Sequence, residues 1–211
     1  MNIPDDPFPP NEFDPWAENY DHDVATQKQF PFAGYDQALD EVVKLAGPQA
    51  GMSVLDIGTG TGNLAVRFAR LGCELWCTDF SEAMLAKARE KLPAARFVQH
   101  DLRTAWPAGL ERRFDRVASA YVFHHFALQK KLELCQELSE RRLLPGGKLI
   151  IADLSFPSGR MMEMFAQSVG ELWEQEPYWL ADEALPALAR AGLKTTYVQV
   201  SACAGVYALG E

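Results

Sequence analysis

The sequence has few of the residues that mark secreted, metal-binding or nucleic-acid-binding proteins. Its four cysteines show no CxxC or Cys/His spacing, which predicts neither a disulfide framework nor a zinc site: Cys73, Cys77, Cys135 and Cys203. Lys and Arg number 20 against 29 Asp and Glu, and the net charge of −9 disfavours a surface for nucleic-acid phosphates. The acidic, proline-rich start does not resemble a signal peptide, and no apolar run approaches ~18 residues. We therefore expect a cytoplasmic protein that binds neither nucleic acid nor membrane.

Short apolar, β-branched runs alternate with segments of helical periodicity in the rest of the chain. Five runs read as strands, at residues 52–57, 74–80, 95–102, 114–123 and 148–156. Residues 193–210 add two strands with no helix between them, so these two should be antiparallel neighbours at one edge. The alternation predicts an α/β fold, a doubly wound and mostly parallel sheet of seven strands with an antiparallel C-terminal edge strand.

The helices are predicted between these strands and before them. Six segments have helical periodicity: residues 35–46, 63–72, 81–92, 128–144, 157–175 and 181–192. Ser81 is a plausible N-cap for the third of them, and Pro145-Gly146-Gly147 should end the fourth.

The amino-terminal part has a different composition. Residues 1–15 carry five prolines and predict an extended or mobile arm. The following residues place large side chains four apart, on one face of a predicted helix: Trp16, Tyr20 and Val24. We therefore divide the chain into residues 1–34, an arm with a helical lid, and residues 35–211, the α/β domain.

The first strand leads directly into a glycine-rich loop, VLDIGTGTGNL, with Gly58, Gly60 and Gly62 before the helix. A dinucleotide fingerprint would need a glycine where the chain has Asn63, and a phosphate-binding P-loop would need GK[ST], which is missing. The loop therefore matches neither motif, and taken alone it is weak evidence for a ligand site. A nucleotide-binding oxidoreductase is a weaker alternative that Asn63 disfavours.

Two acids follow the next strands at the same predicted edge of the sheet, where ligands of such folds bind. Asp79 ends the second strand and could accept hydrogen bonds from a ribose diol. Asp101 ends the third strand and could accept from an exocyclic amine, with the backbone N–H of Leu102 beside it. The alternative reading, that these acids cap helices or lie in turns, stays open.

In order and spacing, LDIGTGTG, CTDFSEAML, QHDL and FDRVASAYVFHHF followed by LLPGGKLIIAD resemble the class I S-adenosylmethionine-dependent methyltransferases. The resemblance covers roughly residues 35–210, and WAENYD with the C-terminal strand pair is most similar to the small bacterial methyltransferases of the YrrT type. It implies a Rossmann-like fold, S-adenosyl-L-methionine as the cofactor and S-adenosyl-L-homocysteine as the product.

The resemblance also implies roles for the loop and the lid. The backbone around Gly58, Thr59 and Gly60 would face the methionine part of the cofactor. Tyr20 would close over the amino-acid end, although it could also simply pack the lid onto the domain. Asp56 would fix the loop rather than touch the ligand.

At the nucleoside end, the resemblance implies that Asp79 holds the ribose hydroxyls and that Phe80 packs on the adenine. Asp101 and Leu102 would read the amino edge of the base. Ser119 would line the floor beneath the sulfonium.

The acceptor is predicted by exclusion. The [ND]PP[YF] tetrapeptide expected of enzymes that methylate amide or exocyclic nitrogens is missing after the fourth strand, where the chain reads SAYV. We therefore expect methyl transfer to a small-molecule acceptor by in-line displacement. The alternative is a module that binds the cofactor or its product and acts through a partner protein. The methionines and aromatic residues of residues 156–180 predict an apolar lid over the acceptor, or equally a core or homodimer face.

Two adjacent histidines follow the fourth strand, in AYVFHHF. Because extended residues alternate faces, His124 and His125 should point in opposite directions and make a poor joint metal site. No aspartate or glutamate clusters with the histidines at metal-ligand spacing in the sequence, which disfavours a magnesium site, and we predict no metal. His125 is predicted to support the loop, and His124 is a candidate general base that faces the acceptor.

Overall fold

The computed structural model of the protein describes residues 14–210. Residues 1–13, most of the predicted arm, lie outside the described residues. The described part contains seven α-helices: α1 (Tyr20–Thr26), α2 (Tyr35–Ala46), α3 (Asn63–Arg70), α4 (Glu82–Lys91), α5 (Leu128–Glu137), α6 (Gly159–Val169) and α7 (Ala181–Arg190). Helix α2 has the predicted ends. Ser81 caps α4 as predicted, since its Oγ accepts the N–H of Met84 at 3.2 Å.

The strands form one twisted sheet with the order β3-β2-β1-β4-β5-β8-β7, and a short β6 pairs with β5 off this path. Their bounds are β1 (Ser53–Ile57), β2 (Glu74–Asp79), β3 (Arg96–Gln99), β4 (Phe114–Ala120), β5 (Leu143–Phe156), β6 (Trp179–Leu180), β7 (Thr195–Gln199) and β8 (Ala204–Leu209). Strands β1 to β5 pair in parallel, whereas β8 is antiparallel to both β5 and β7. The predicted doubly wound sheet with an antiparallel C-terminal edge is confirmed.

The sheet is covered on both faces, which explains why its central strands are continuous apolar runs. Every residue of β1 is buried, and neighbouring residues point into different layers of the core. Val54 packs in the layer under α2 and α3, whereas Leu55 packs in the layer under α5 and α7. Within residues 14–210, no helix is both long and apolar enough to span a bilayer.

Two predicted helices differ from the structure. The first is divided into a 3-10 turn (Pro15–Glu18) and α1, so Trp16 and Tyr20 do not share one helix face. The other is the helix predicted over residues 128–144, which ends before the glycines. Helix α5 continues into a π-helical turn (Leu138–Arg142), and β5 already begins at Leu143. Residues 144–147 lie at an irregularity in the pairing of β4 with β5, a position that tolerates Pro and Gly.

The predicted fourth strand is also too long at its carboxyl end. Strand β4 stops at Ala120, and Tyr121 takes a positive φ of 59°, which is uncommon for a residue with a side chain. The chain then makes a 3-10 turn over Phe123–His125. This turn sets the direction of the two histidines.

Candidate active site

A cavity of about 660 Å³ opens at the carboxyl ends of the parallel strands. Its walls include the residues that follow β1, β2, β3 and β4, together with parts of residues 15–35 and 172–178. The strand order reverses between β1 and β4, and this reversal is where ligands bind in open α/β sheets. The cavity is therefore where the fold itself favours a ligand.

The glycine loop forms one end of the cavity, and two of its glycines serve different purposes. Gly58 has φ 64°, and a Cβ on it would lie 2.1 Å from Cγ2 of Val122, so this position is tightly packed. Gly60 has φ 54°, but a Cβ on it would meet nothing within 4 Å. Thr59 anchors the loop between them, since its N–H donates to the carbonyl of Thr78 at 2.9 Å. The backbone at Gly60 consequently faces open space that a ligand can fill.

Asp79 ties the glycine loop to the end of β2. Its Oδ2 accepts the N–H of Gly60 at 2.8 Å, and its Oδ1 accepts the N–H of Ser81 at 2.9 Å. The carboxylate has no cationic partner within hydrogen-bond reach among the described residues, and burial raises its pKa to about 6. It therefore has spare acceptor capacity for hydroxyl donors of a ligand.

Asp56 is a second buried carboxylate on the same wall. Its Oδ2 has no hydrogen-bond partner among the described residues, and burial raises the pKa of Asp56 to about 7. A buried carboxylate oxygen without a partner is costly, and a ligand ammonium or N–H group would satisfy it. The resemblance implies only a supporting role for Asp56, so its unpartnered oxygen is found only in the structure.

Asp101, Leu102 and Phe80 also line the cavity, next to the end of β3. The Asp101 carboxylate is held by Arg103, whose Nε lies 2.9 Å from Oδ1 and whose Nη2 lies 2.7 Å from Oδ2. Burial acts to raise the pKa of Asp101, but the hydrogen bonds and charge of Arg103 outweigh it and lower the pKa. The carboxylate that is predicted to accept a hydrogen bond from an exocyclic amine is thus already bonded to the Arg103 guanidinium.

Tyr20 and Ser119 differ in their relation to the cavity. Tyr20 lines it and packs edge to face against Phe32 and Tyr35, with ring centroids 6.0 and 6.4 Å away. Ser119 is fully buried and does not line the cavity, because its Oγ donates to the carbonyl of Ile57 at 2.9 Å between two strands. The structure therefore brings every predicted cofactor residue to the cavity except Ser119.

The other end of the cavity is built around His124. Its Nδ1 lies 2.5 Å from Oδ1 of Asp153, whose other oxygen accepts the indole N–H of Trp179 at 3.0 Å. Burial acts to raise the pKa of Asp153, but the neighbouring His124 and Lys131 outweigh it and lower the pKa. Because an ionised carboxylate only accepts hydrogen bonds, Nδ1 of His124 carries a proton, and in the neutral form of the ring Nε2 is the acceptor nitrogen.

The prediction that the two histidines point apart is wrong. Their ring centroids are 4.0 Å apart, because the 3-10 turn over Phe123–His125 replaces the extended backbone on which the prediction rested. Glu176 joins them: its Oε2 lies 2.9 Å from Nδ1 of His125 and 3.9 Å from Nε2 of His124. The reasoning that no acid accompanies the histidines at ligand spacing is corrected by the same contacts.

Sequence reasoning missed Asp153 and Glu176. Asp153 is the single charged residue in the apolar core of a predicted strand, IIADLSF, and that contrast was a usable signal. Glu176 lies in an irregular segment between α6 and β6, where nothing in the pattern marks it. Of the residues proposed as an apolar lid, Tyr178 lines the cavity, whereas Trp179 is buried core and Met161 and Met164 are exposed.

Comparisons with known proteins agree with this geometry. The family of methyltransferase domains matches residues 54–147, which contain the glycine loop and Asp79. An uncharacterized methyltransferase of Geobacillus kaustophilus is 35% identical over 174 residues, 81% of this chain and 77% of that protein. The uncharacterized methyltransferase YrrT of Bacillus subtilis is 29% identical over 175 residues, 81% of this chain and 78% of that protein.

Solved methyltransferase structures share the fold. A solved structure described as the DhpI–SAM–HEP complex superposes with a TM-score of 0.73 at 19% identity, covering 95% of each chain. The open backbone at Gly60, the orphaned Asp56 oxygen and the buried Asp79 suit a ligand that brings an ammonium group and ribose hydroxyls. The chain therefore belongs to the family of methyltransferases that these relatives represent.

Proposed function

We propose that the protein transfers a methyl group from S-adenosylmethionine to a small-molecule acceptor held at the His124 end of the cavity. The observation that carries this proposal is the continuity of the cavity, which joins the glycine loop to His124 in one space of about 660 Å³. The bound cofactor supplies an activated methyl group on a sulfonium. The protein's contribution is mainly alignment for in-line displacement, which can provide roughly 7–11 kcal/mol.

The glycine-loop end holds the cofactor in this proposal. Gly58, Thr59 and Gly60 present backbone to its methionine part, and Asp56 accepts from its amino group. Tyr20 covers this end from the lid. The contact that supports the lid is between Asp21 and the loop, since Thr61 donates to Oδ1 of Asp21 at 2.6 Å.

The nucleoside part lies against the ends of β2 and β3. Asp79 accepts from the ribose hydroxyls, and Phe80 and Leu102 pack against the base. Asp101 accepts a hydrogen bond from the adenine amine through the carboxylate lone pairs that Arg103 does not occupy. Ser119 acts only by tying β4 to β1 through its bond to Ile57.

His124 takes up the proton of the acceptor. Asp153 fixes the His124 ring and keeps the proton on Nδ1, which leaves the Nε2 lone pair for a hydroxyl, thiol or protonated amine. A positioned base of this kind contributes about 10²–10⁴-fold to the rate.

The walls at this end select the acceptor by charge. Glu174 and Glu176 line the cavity, and the one Lys or Arg side chain among its described lining residues is Arg103, already paired with Asp101. This charge distribution supports a neutral or cationic acceptor with an apolar body that packs on Phe126 and Tyr178. We place the reaction in the cytoplasm, because the four cysteines are free thiols.

Two measurements test the proposed function. Calorimetry with S-adenosylhomocysteine should show one binding site per chain. Incubation with methyl-labelled S-adenosylmethionine and a metabolite extract should place label in a small molecule, and His124→Gln should remove that label while it still binds S-adenosylhomocysteine. Binding without label in any product would contradict methyl transfer and favour a cofactor-binding module that acts through a partner.

A further inference from the structure

Three side chains at the acceptor end direct possible metal ligands toward one point. One candidate ligand atom from each of His124, His125 and Glu176 lies within 4.8 Å of the other two. Two of the separations are short, 2.9 Å from Glu176 to His125 and 3.9 Å from Glu176 to His124. Ligands that bind one zinc ion at about 2.0–2.2 Å lie about 3–4 Å apart, so the Glu176–His125 pair must open slightly and the Glu176–His124 pair needs little change.

The side chains that would orient these ligands are already in place. Histidines that bind metals usually donate their other ring nitrogen to a carboxylate, which fixes the ring and strengthens the ligand. His124 does this through Nδ1 to Asp153, and Asp153 is itself held by the indole N–H of Trp179 and the N–H of Leu154. The His124 ring is thus oriented independently of the hydrogen bond between His125 and Glu176.

Charge and flexibility are also suitable. Asp153 and Glu176 bring two carboxylates to the group, which can balance a divalent ion. Glu176 lies in an irregular segment between α6 and β6, so its side chain can adjust without moving a helix or strand. Two imidazoles and one carboxylate favour Zn²⁺, Ni²⁺ or Cu²⁺ over the oxygen-preferring Mg²⁺ and Ca²⁺.

We propose that His124, His125 and Glu176 form a site for a divalent transition-metal ion, and that an ion bound there inhibits methyl transfer. The ion occupies Nε2 of His124, the nitrogen that would otherwise accept the proton of the acceptor. The binding half of the proposal stands on the three side chains alone. The inhibitory half rests on the proposed function.

Binding is tested with Zn²⁺ on metal-stripped protein, without cofactor or acceptor, by calorimetry against a competing chelator. We expect one tightly bound Zn²⁺ per chain, and at least tenfold weaker binding in His125→Gln and in Glu176→Gln. Asp153→Asn should weaken binding by about 10–100-fold, since it removes only the support of a ligand. The matched controls are His22→Gln and Glu163→Gln, whose side chains are exposed and lie outside the cavity.

The outcomes separate the two halves of the proposal. Equal Zn²⁺ affinity in the wild type and in both ligand variants, with thermal melting showing that all are folded, would overturn the site. Weaker binding in His22→Gln instead would assign the ion to the surface. In the methyl-transfer assay, Zn²⁺ should lower the rate with a midpoint that matches its Kd. An unchanged rate at saturating Zn²⁺ would overturn the inhibitory half, and a protein that transfers no methyl group would refute the proposed function while the Zn²⁺ titration still decides the site.

Discussion

The two ends of the cavity both contain buried carboxylates, but in opposite electrostatic conditions. At the cofactor end, burial raises the pKa of Asp56 to about 7 and that of Asp79 to about 6. At the acceptor end, histidine partners help to lower the pKa of Asp153 and of Glu176 despite their burial. Asp56 and Asp79 thus keep acceptor capacity for donor groups that a ligand can bring, whereas Asp153 and Glu176 are already paired with histidines of the protein. Binding and proton transfer are therefore assigned to different ends.

The largest effect should come from His124, and it should separate rate from affinity. His124→Gln removes the lone pair that takes up the acceptor's proton, so we expect the rate of methyl transfer to fall by about 10²–10⁴-fold. Affinity for S-adenosylhomocysteine should stay within about twofold, because the hydrogen bond of His124 is to Asp153 and not to the glycine loop or Asp79. His22→Gln, an exposed histidine on α1, is the control for assay and preparation. Equal losses of rate and affinity would remove the distinction between the two ends.

A second comparison uses two glycines of one loop. Gly58→Ala combines a positive φ with a Cβ that would lie 2.1 Å from Cγ2 of Val122, so we expect a loss of about 2–5 kcal/mol in the free energy of unfolding. Gly60→Ala has the same backbone strain but open space, so its cost should be about 1–2 kcal/mol. Its main effect should be weaker binding of S-adenosylhomocysteine, because the new methyl group lies where the ligand approaches. Chemical denaturation and calorimetry on both variants check this, and full binding by Gly60→Ala would show that the open space is not the cofactor site.

Asp79→Asn should act on cofactor affinity rather than on proton transfer from the acceptor. The amide keeps the shape of the carboxylate but loses charge-assisted hydrogen bonds, each worth about 1.5–3 kcal/mol, and its NH₂ group faces another donor. We expect binding of S-adenosylhomocysteine to weaken by about 10–150-fold in calorimetry. Asp182→Asn, exposed in the first turn of α7, provides the matched control. An unchanged affinity in Asp79→Asn would contradict the assignment of the ribose to Asp79.

The same division shows what the sequence could predict. The glycine loop and Asp79 were identified because each follows a strand directly, so that local pattern and sheet topology place them without any knowledge of packing. The acceptor end brings together residues 29 and 51 positions apart, His124 with Asp153 and His125 with Glu176. No local periodicity encodes such contacts.

The errors have local physical causes. The predicted fourth strand is longer than β4, because FDRVASAYVF stays apolar to its end and no residue in it predicts the positive φ of Tyr121. The 3-10 turn that follows brings the rings of His124 and His125 together, where the prediction placed them on opposite faces. Ser119 was expected beneath the sulfonium, but its hydroxyl finds a strand carbonyl inside the sheet.

The smallest expected effect is a pH dependence confined to the cofactor end. With a pKa of about 6, Asp79 is ionised at pH 7.5 and mostly protonated at pH 5, so affinity for S-adenosylhomocysteine should fall by up to about tenfold between these values. The contribution of Asp79 to stability has the opposite sign. Because its pKa is higher in the folded than in the unfolded protein, it stabilises the apo-protein at low pH, and this stabilisation is lost as pH rises through about 6.

Calorimetry and thermal melting at pH 5.0, 6.0 and 7.5 can separate Asp79 from the other acids that face it, Asp14 and Asp56. In the Asp56→Asn background, the fall in affinity toward pH 5 should persist, because Asp79 remains. In Asp79→Asn, both the fall in affinity and the gain in stability toward pH 5 should shrink to the part that Asp56 contributes. If Asp56→Asn removes the pH dependence and Asp79→Asn keeps it, the titrating group that governs cofactor binding is Asp56, and the ribose contact must be sought elsewhere.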